Sequence, residues 1–143
     1  MLYQLAIGSA LIVATVLVAA LSWWGLEITL SRTHDWLIRP PHGLKLFIAL
    51  TLAMLWTVVM LTASVWIWAT AFWMLDVFTT KEASVYFSLV AFTTLGFGDI
   101  LLPQQWRLLG GMAAANGLLV FGLLTAMLVE TLRQIRQRQA GRY

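Results

Sequence analysis

The chain contains no cysteine, which excludes a disulfide scaffold, a thiolate zinc site and a thiol nucleophile. Charge is scarce as well: only 10% of residues carry one, against about a quarter in an ordinary globular domain. There is no P-loop, no GxSxG and no HExxH, so the sequence offers an enzyme reading almost nothing. Internal repeats and low-complexity tracts are lacking too. What fills the 143 residues is apolar side chain, 61% of the total. A chain of this length has too little interior to bury so much, so much of it must face lipid. The net charge of +3 then speaks of membrane topology and not of a nucleic-acid partner.

Three uncharged windows are long enough to cross a bilayer: Met1 to Leu26, Leu46 to Leu75 and Leu108 to Val129. At about 1.5 Å per residue, each covers the roughly 30 Å of hydrocarbon. The tryptophans at 23, 24, 56, 66, 68 and 73 read partly as interfacial belts and mostly as lipid-facing bulk. The first window has small residues near its end, Ala19, Ala20 and Ser22. It lacks a basic leader and is longer than a signal's apolar core, so a retained span is expected.

Seven of the nine basic residues fall in two segments: Arg32, Arg39 and Lys45 after the first window, and Arg133, Arg136, Arg138 and Arg142 after the third. Three crossings put those segments on one side, which the positive-inside rule makes the cytoplasm. The N-terminus and residues 76–107 are then expected outside. Arg39-Pro40-Pro41-His42-Gly43 breaks the chain between the first two spans, and residues 27–38 are a candidate short interfacial helix. His34 and His42, with only Asp35 nearby, make a poor metal pair. Asp76 and Glu82 read as capping and solvated acids.

The segment from Ala83 to Gly98 is uncharged but too short to span, so it reads as buried or re-entrant. Thr79 followed by Glu82 matches a capping box and predicts a helix of about three turns after it. Then comes Thr93-Thr94-Leu95-Gly96-Phe97-Gly98-Asp99. Non-helical backbone at membrane depth needs protein or water to satisfy its polar groups. An extended run can turn all its carbonyls to one aqueous path if alternate residues take left-handed dihedrals. Glycine does so without a Cβ clash, and Gly96 and Gly98 alternate.

Thr94-Leu95-Gly96-Phe97-Gly98-Asp99 resembles the potassium-channel selectivity filter, Thr-Val-Gly-Tyr-Gly-Asp, and the flanking helices resemble that family's pore module over about residues 43–133. The resemblance implies an all-α membrane protein with the potassium-channel pore fold: three transmembrane helices plus a re-entrant pore helix and filter, assembled as a homotetramer in the lipid bilayer. Its parts would be an N-terminal helix 1–31, a loop 32–45, a pore module 46–132 and a basic tail 133–143. Within the module the outer helix would cover 46–78, the pore helix 80–93, the filter 94–99 and the inner helix 105–132.

By the same resemblance, K+ would be coordinated by the carbonyls of Thr94, Leu95, Gly96 and Phe97 and by the Thr94 hydroxyl, within a strand that ends at Gly98. Thr93, Asp99 and Tyr86 would support the filter. Leu95 stands where valine or isoleucine is usual. Phe97 lacks the tyrosine hydroxyl that ties the filter to the pore helix, which leaves Tyr86 as the replacement partner. Gly117 or Gly122 would be the inner-helix hinge, while Gly110 and Gly111 read as packing residues. Asn116, Gly117, Gly122, Thr125 and Ala126 would face the cavity or pack closely against a neighbouring helix.

Glu130 would either form a carboxylate ring at the inner mouth or pair with Arg133. Arg133, Arg136 and Arg138 would touch anionic lipid or simply anchor the inside end. No span carries the arginine spacing of a voltage sensor, and no ligand-sensing domain is expected in the ten residues after Arg133. The function implied is passive K+ conduction in the plasma (inner) membrane, with no organic cofactor and no nucleic acid. The alternatives are a weakly selective cation channel and a non-conducting membrane interaction protein that retains the pore fold.

Overall fold

A computed structural model describes residues 1–32 and 42–139, with the side chains of residues 30, 31, 42, 138 and 139 outside the description. Four α-helices follow in order: α1 (Leu2–Arg32), α2 (His42–Met74), α3 (Lys81–Phe92) and α4 (Arg107–Gln139), the last preceded by a 3-10 turn, Gln104–Trp106. Three of them, α1, α2 and α4, are long and apolar enough to cross a membrane. The three expected spans and the short fourth helix are all present.

The boundaries differ from expectation where side-chain chemistry overrides hydropathy. Residues 27–32 continue α1 and do not begin a separate interfacial helix; the rest of that stretch, with His34, Asp35 and the double proline, lies outside the described residues. The second helix ends at Met74, short of residue 78, because Asp76 takes a left-handed φ of 51°. The Val77 amide then bonds to the Phe72 carbonyl at 3.0 Å and the Asp76 amide to that of Trp73 at 3.1 Å. This is a Schellman closure, with Phe72 and Val77 packed in the same core cluster. At the far end, residues 133–139 are helical and not a tail, since arginine and glutamine are good helix formers with no breaker among them.

The cap of α3 is also displaced by one residue. Thr80, not Thr79, is the N-cap, and its hydroxyl accepts from the Ala83 amide at 3.1 Å. The position a capping-box glutamate would need is therefore Ala83, and Glu82 acts instead as an acid in the first turn, near the helix's positive end. Across the turn from α2, Lys81 Nζ stands 4.4 Å from the Trp73 ring centroid, which joins the end of one helix to the start of the next.

An aromatic stack seats α3 against α2. Phe87 meets Phe72 edge-on at 5.3 Å between centroids, and Phe92 meets Trp68 at 6.4 Å. Trp68, Phe72 and Phe92 are completely buried, so Trp68 belongs to the core and not to an interfacial belt. Leu109, Ala113, Val120 and Leu124 of α4 close the same cluster from the other side. The outward faces are apolar too, as with Leu17, Leu21, Leu52 and Leu118, as expected where lipid is the solvent.

The first helix lies alongside the last. Tyr3 stacks near Trp106, Gln4 accepts a hydrogen bond from the Leu109 amide at 3.3 Å, and Asn116 bonds to Thr15 at 2.8 Å. These bonded pairs are 105 and 101 residues apart, so α1 and α4 run parallel in near register and begin at the same end of the bundle. The seam is made of small side chains. Gly8, Thr15, Ala19 and Ser22 are the buried residues of α1, spaced seven, four and three apart. Such a stripe lets two helices approach closely in lipid. Ala19 and Ser22, which look like a cleavage signature, are thus packing residues, and Ser22 also accepts from Trp56 Nε1 of α2 at 2.7 Å.

Candidate functional site

The site is the strand between α3 and α4, and it starts where α3 is forced to stop. The Thr94 amide bonds to the Ala91 carbonyl at 3.0 Å and the Leu95 amide to that of Val90 at 3.1 Å, with Thr94 at φ 57°. This repeats the Schellman closure at Asp76, here on a β-branched residue for which the left-handed region costs about 1–2 kcal/mol. Thr93 holds the last turn through its own hydroxyl, which donates to the Leu89 carbonyl at 2.8 Å.

From Thr94 the left-handed conformation recurs at every second residue: φ is 57° at Thr94, 56° at Gly96 and 77° at Gly98, while Leu95 and Phe97 between them lack it. The alternation predicted for the two glycines is present, and it begins one step earlier, at Thr94. Sequence reasoning missed Thr94 because threonine is a poor candidate for positive φ; the register of Gly96 and Gly98 was the available clue. Backbone of this alternating hand turns successive carbonyls toward a common side.

Among the described residues nothing covers this strand. Leu95 is 59% and Phe97 66% exposed, and a Cβ built on Gly96 or Gly98 would meet no atom within 4 Å. Its far end is fastened to α3 by the Tyr86 hydroxyl, which donates to Asp99 Oδ2 at 2.5 Å. That bond holds the Asp99 carboxyl below the usual carboxylate range and pushes the Tyr86 phenol above its own. Beside the strand a groove of about 870 Å³ opens between Trp66 of α2 and Val85, Tyr86 and Leu89 of α3, with Asp99 and Ile100 at its rim.

Residues of the fourth helix divide by environment. Gly117 is a close-approach glycine, because an added Cβ would lie 2.5 Å from Phe92 Cα and 2.8 Å from its carbonyl carbon. Gly122 and Gly111 face open space, whereas Gly110 packs against Leu102 and Phe87. Asn116 turns to α1 instead of toward a cavity, and Thr125 and Ala126 are exposed. Glu130 lies 3.5 Å from Arg133 and accepts from Gln134 Nε2 at 3.2 Å, so in one chain it is paired along its own helix. Arg133 and Arg136 are exposed; the side chain of Arg138 lies outside the described residues.

Two membrane-length helices, α2 and α4, hold the short α3 between them, with α1 packed on α2 and α4 and a segment of alternating handedness between α3 and α4, and together these define a membrane protein built around a pore module. The family model described as "Ion channel" matches residues 46–134, more than half of the chain, and the chain belongs to that family. It is an integral membrane protein of the transport class. The match takes in α3, the strand and nearly all of α2 and α4, and leaves α1 outside. No curated protein and no solved structure matches the chain.

Proposed function

We propose that the protein is a potassium-selective channel in which four copies bring residues 94–98 around a common axis. The carbonyls of Thr94, Leu95, Gly96 and Phe97, with the Thr94 hydroxyl, would replace the hydration shell of K+. The observation that carries this reading is the left-handed φ at Thr94, Gly96 and Gly98, which gives consecutive carbonyls one direction. One strand cannot surround an ion, and unpaired carbonyls at membrane depth are costly in lipid. The bare strand and the groove beside it are what a neighbouring copy would cover. The charge pattern supports the N-terminus and filter mouth outside and the basic end of α4 in the cytoplasm of a plasma (inner) membrane, with Arg133 and Arg136 near anionic lipid.

The test is cation flux from liposomes holding the purified chain, followed by bi-ionic reversal potentials with K+ and Na+ on opposite sides. K+ flux that is blocked by Ba2+, with a reversal potential near the K+ limit, is the expected result. Equal permeation of the two ions would replace the reading with a weakly selective cation channel. A detergent-solubilised dimer with no flux would replace it with a non-conducting interaction protein.

A further inference from the structure

The channel family match leaves α1 without a role, yet the buried hydrogen bond between Thr15 of α1 and Asn116 of α4 lies one residue from the glycine that packs on Phe92. Thr15 and Asn116 are both completely buried. The Thr15 hydroxyl donates its single proton to the Ile12 carbonyl at 2.8 Å and accepts from Asn116 Nδ2 at 2.8 Å. Neither group has water available in a bilayer interior, so the contact fixes one relative placement of the two helices. The close fit of Gly8 against Met112 and the Gln4 bond to the Leu109 amide hold the same register nearer the start of both helices.

The next residue along α4 is Gly117. Consecutive helical residues point about 100° apart, so when Asn116 faces α1 the bare face of Gly117 is aimed at Phe92. Phe92 is the last residue of α3, and its backbone leads directly into Thr93 and the left-handed Thr94. Were α4 to rotate about its axis, a neighbour carrying a Cβ would swing toward the space where a Cβ added at residue 117 would lie 2.5 Å from Phe92 Cα. The base of the filter strand would then have to move.

We infer that Thr15 and Asn116 are positioning residues for ion selection: α1 sets the rotation of α4, and α4, through Gly117, sets the backbone at which the filter strand begins. The inference rests on the potassium-channel reading above. The first helix is therefore part of the selecting machinery and not a separate anchor.

The experiment compares K+ and Na+ flux from liposomes containing the full chain, Thr15→Val and Thr15→Ser. Losing folded channels scales both fluxes alike, whereas a displaced strand changes their ratio. Thr15→Val is expected to raise the Na+:K+ flux ratio about fivefold, of the order set by one buried hydrogen bond, and Thr15→Ser to keep the parent ratio. If Thr15→Val reaches the membrane poorly, Thr15→Val/Asn116→Leu leaves no orphaned amide and carries the same expectation. A parent ratio in either apolar variant overturns the inference while leaving the channel reading intact. A parent chain that conducts no cation, or does not discriminate K+ from Na+, removes the reading beneath it.

Discussion

Tyr86 of α3 and Asp99, thirteen residues further on, are joined by a hydrogen bond of 2.5 Å that closes a loop around the whole strand from Thr93 to Gly98. The helix end and the strand's far end are thereby tied to the same short element. Tyr86→Phe removes the tie, and the proposed channel should then discriminate less between K+ and Na+ in bi-ionic reversal potentials. The pH dependence follows from the two shifts. Asp99 has its carboxyl lowered, so its contribution is complete above the ordinary carboxylate value of about 4 and disappears as pH falls through the lower folded value. Tyr86 has its phenol raised, so its contribution is complete below about 10 and disappears as pH rises through the higher folded value. Tyr86→Phe removes the largest cause of the Asp99 shift, so the loss of stability below about pH 4 should flatten; an acid limb identical to the parent's would show that the bond does not form in the membrane.

Gly96 has open space around it but a φ of 56°. Gly96→Ala therefore meets backbone strain of about 1–2 kcal/mol in each chain and no steric wall. In the proposed tetramer four such strains should abolish K+ flux while insertion, judged by extraction and size in detergent, stays normal. Undiminished flux would remove the strand from the conduction path.

Gly117 and Gly122 should respond in opposite ways to alanine. An added methyl at 117 collides with the Phe92 backbone, which cannot rotate away as a flexible side chain would, whereas one at 122 meets nothing within 4 Å among the described residues. Gly117→Ala should lower the thermal midpoint in detergent, on the scale of overpacking, about 1–3 kcal/mol. Gly122→Ala should hold or slightly raise it, as alanine favours helix. The reverse order would make Gly122 the packed position.

Asp76 occupies the left-handed position of a Schellman closure that glycine fills more comfortably. Asp76→Gly should stabilise the protein by about 0.5–1 kcal/mol, seen as a raised midpoint in tryptophan-monitored unfolding. A lowered midpoint would mean that the carboxylate itself holds the turn.

Glu130 is engaged by Arg133 and Gln134 along its own helix, which offsets its charge locally. Glu130→Gln should therefore leave single-channel conductance unchanged from low to physiological salt. A fall confined to low salt would restore the carboxylate ring at the inner mouth.

Local chemistry made much of the protein legible in its residues. Hydropathy set the three spans, because in lipid each backbone polar group must be satisfied within its own segment. Gly96 and Gly98 announced alternating handedness, because a dihedral is a property of one residue. Tyr86 could be named as a partner for the strand once Phe97 was seen to lack a hydroxyl, and Tyr86 does bond to Asp99. Thr94 and Asp76 were not foreseen as left-handed, since both take that conformation from helix-end hydrogen bonds to carbonyls three and five residues back, and neither is the glycine that usually marks such an end.

What the sequence alone determined is the membrane, the number of crossings and the unusual backbone of the strand, all consequences of forces that act within a few residues. Tertiary structure decided the rest: that Asn116 faces Thr15 of α1, that Gly117 is bare so that Phe92 can approach, and that Trp68 is core while Trp66 stays exposed. In lipid an outward and an inward apolar side chain look the same in composition, because hydrophobicity does not distinguish a helix's two faces there. Only the packing of small residues and the few polar contacts break that symmetry. Those depend on which helix is the neighbour, a fact held by no single segment.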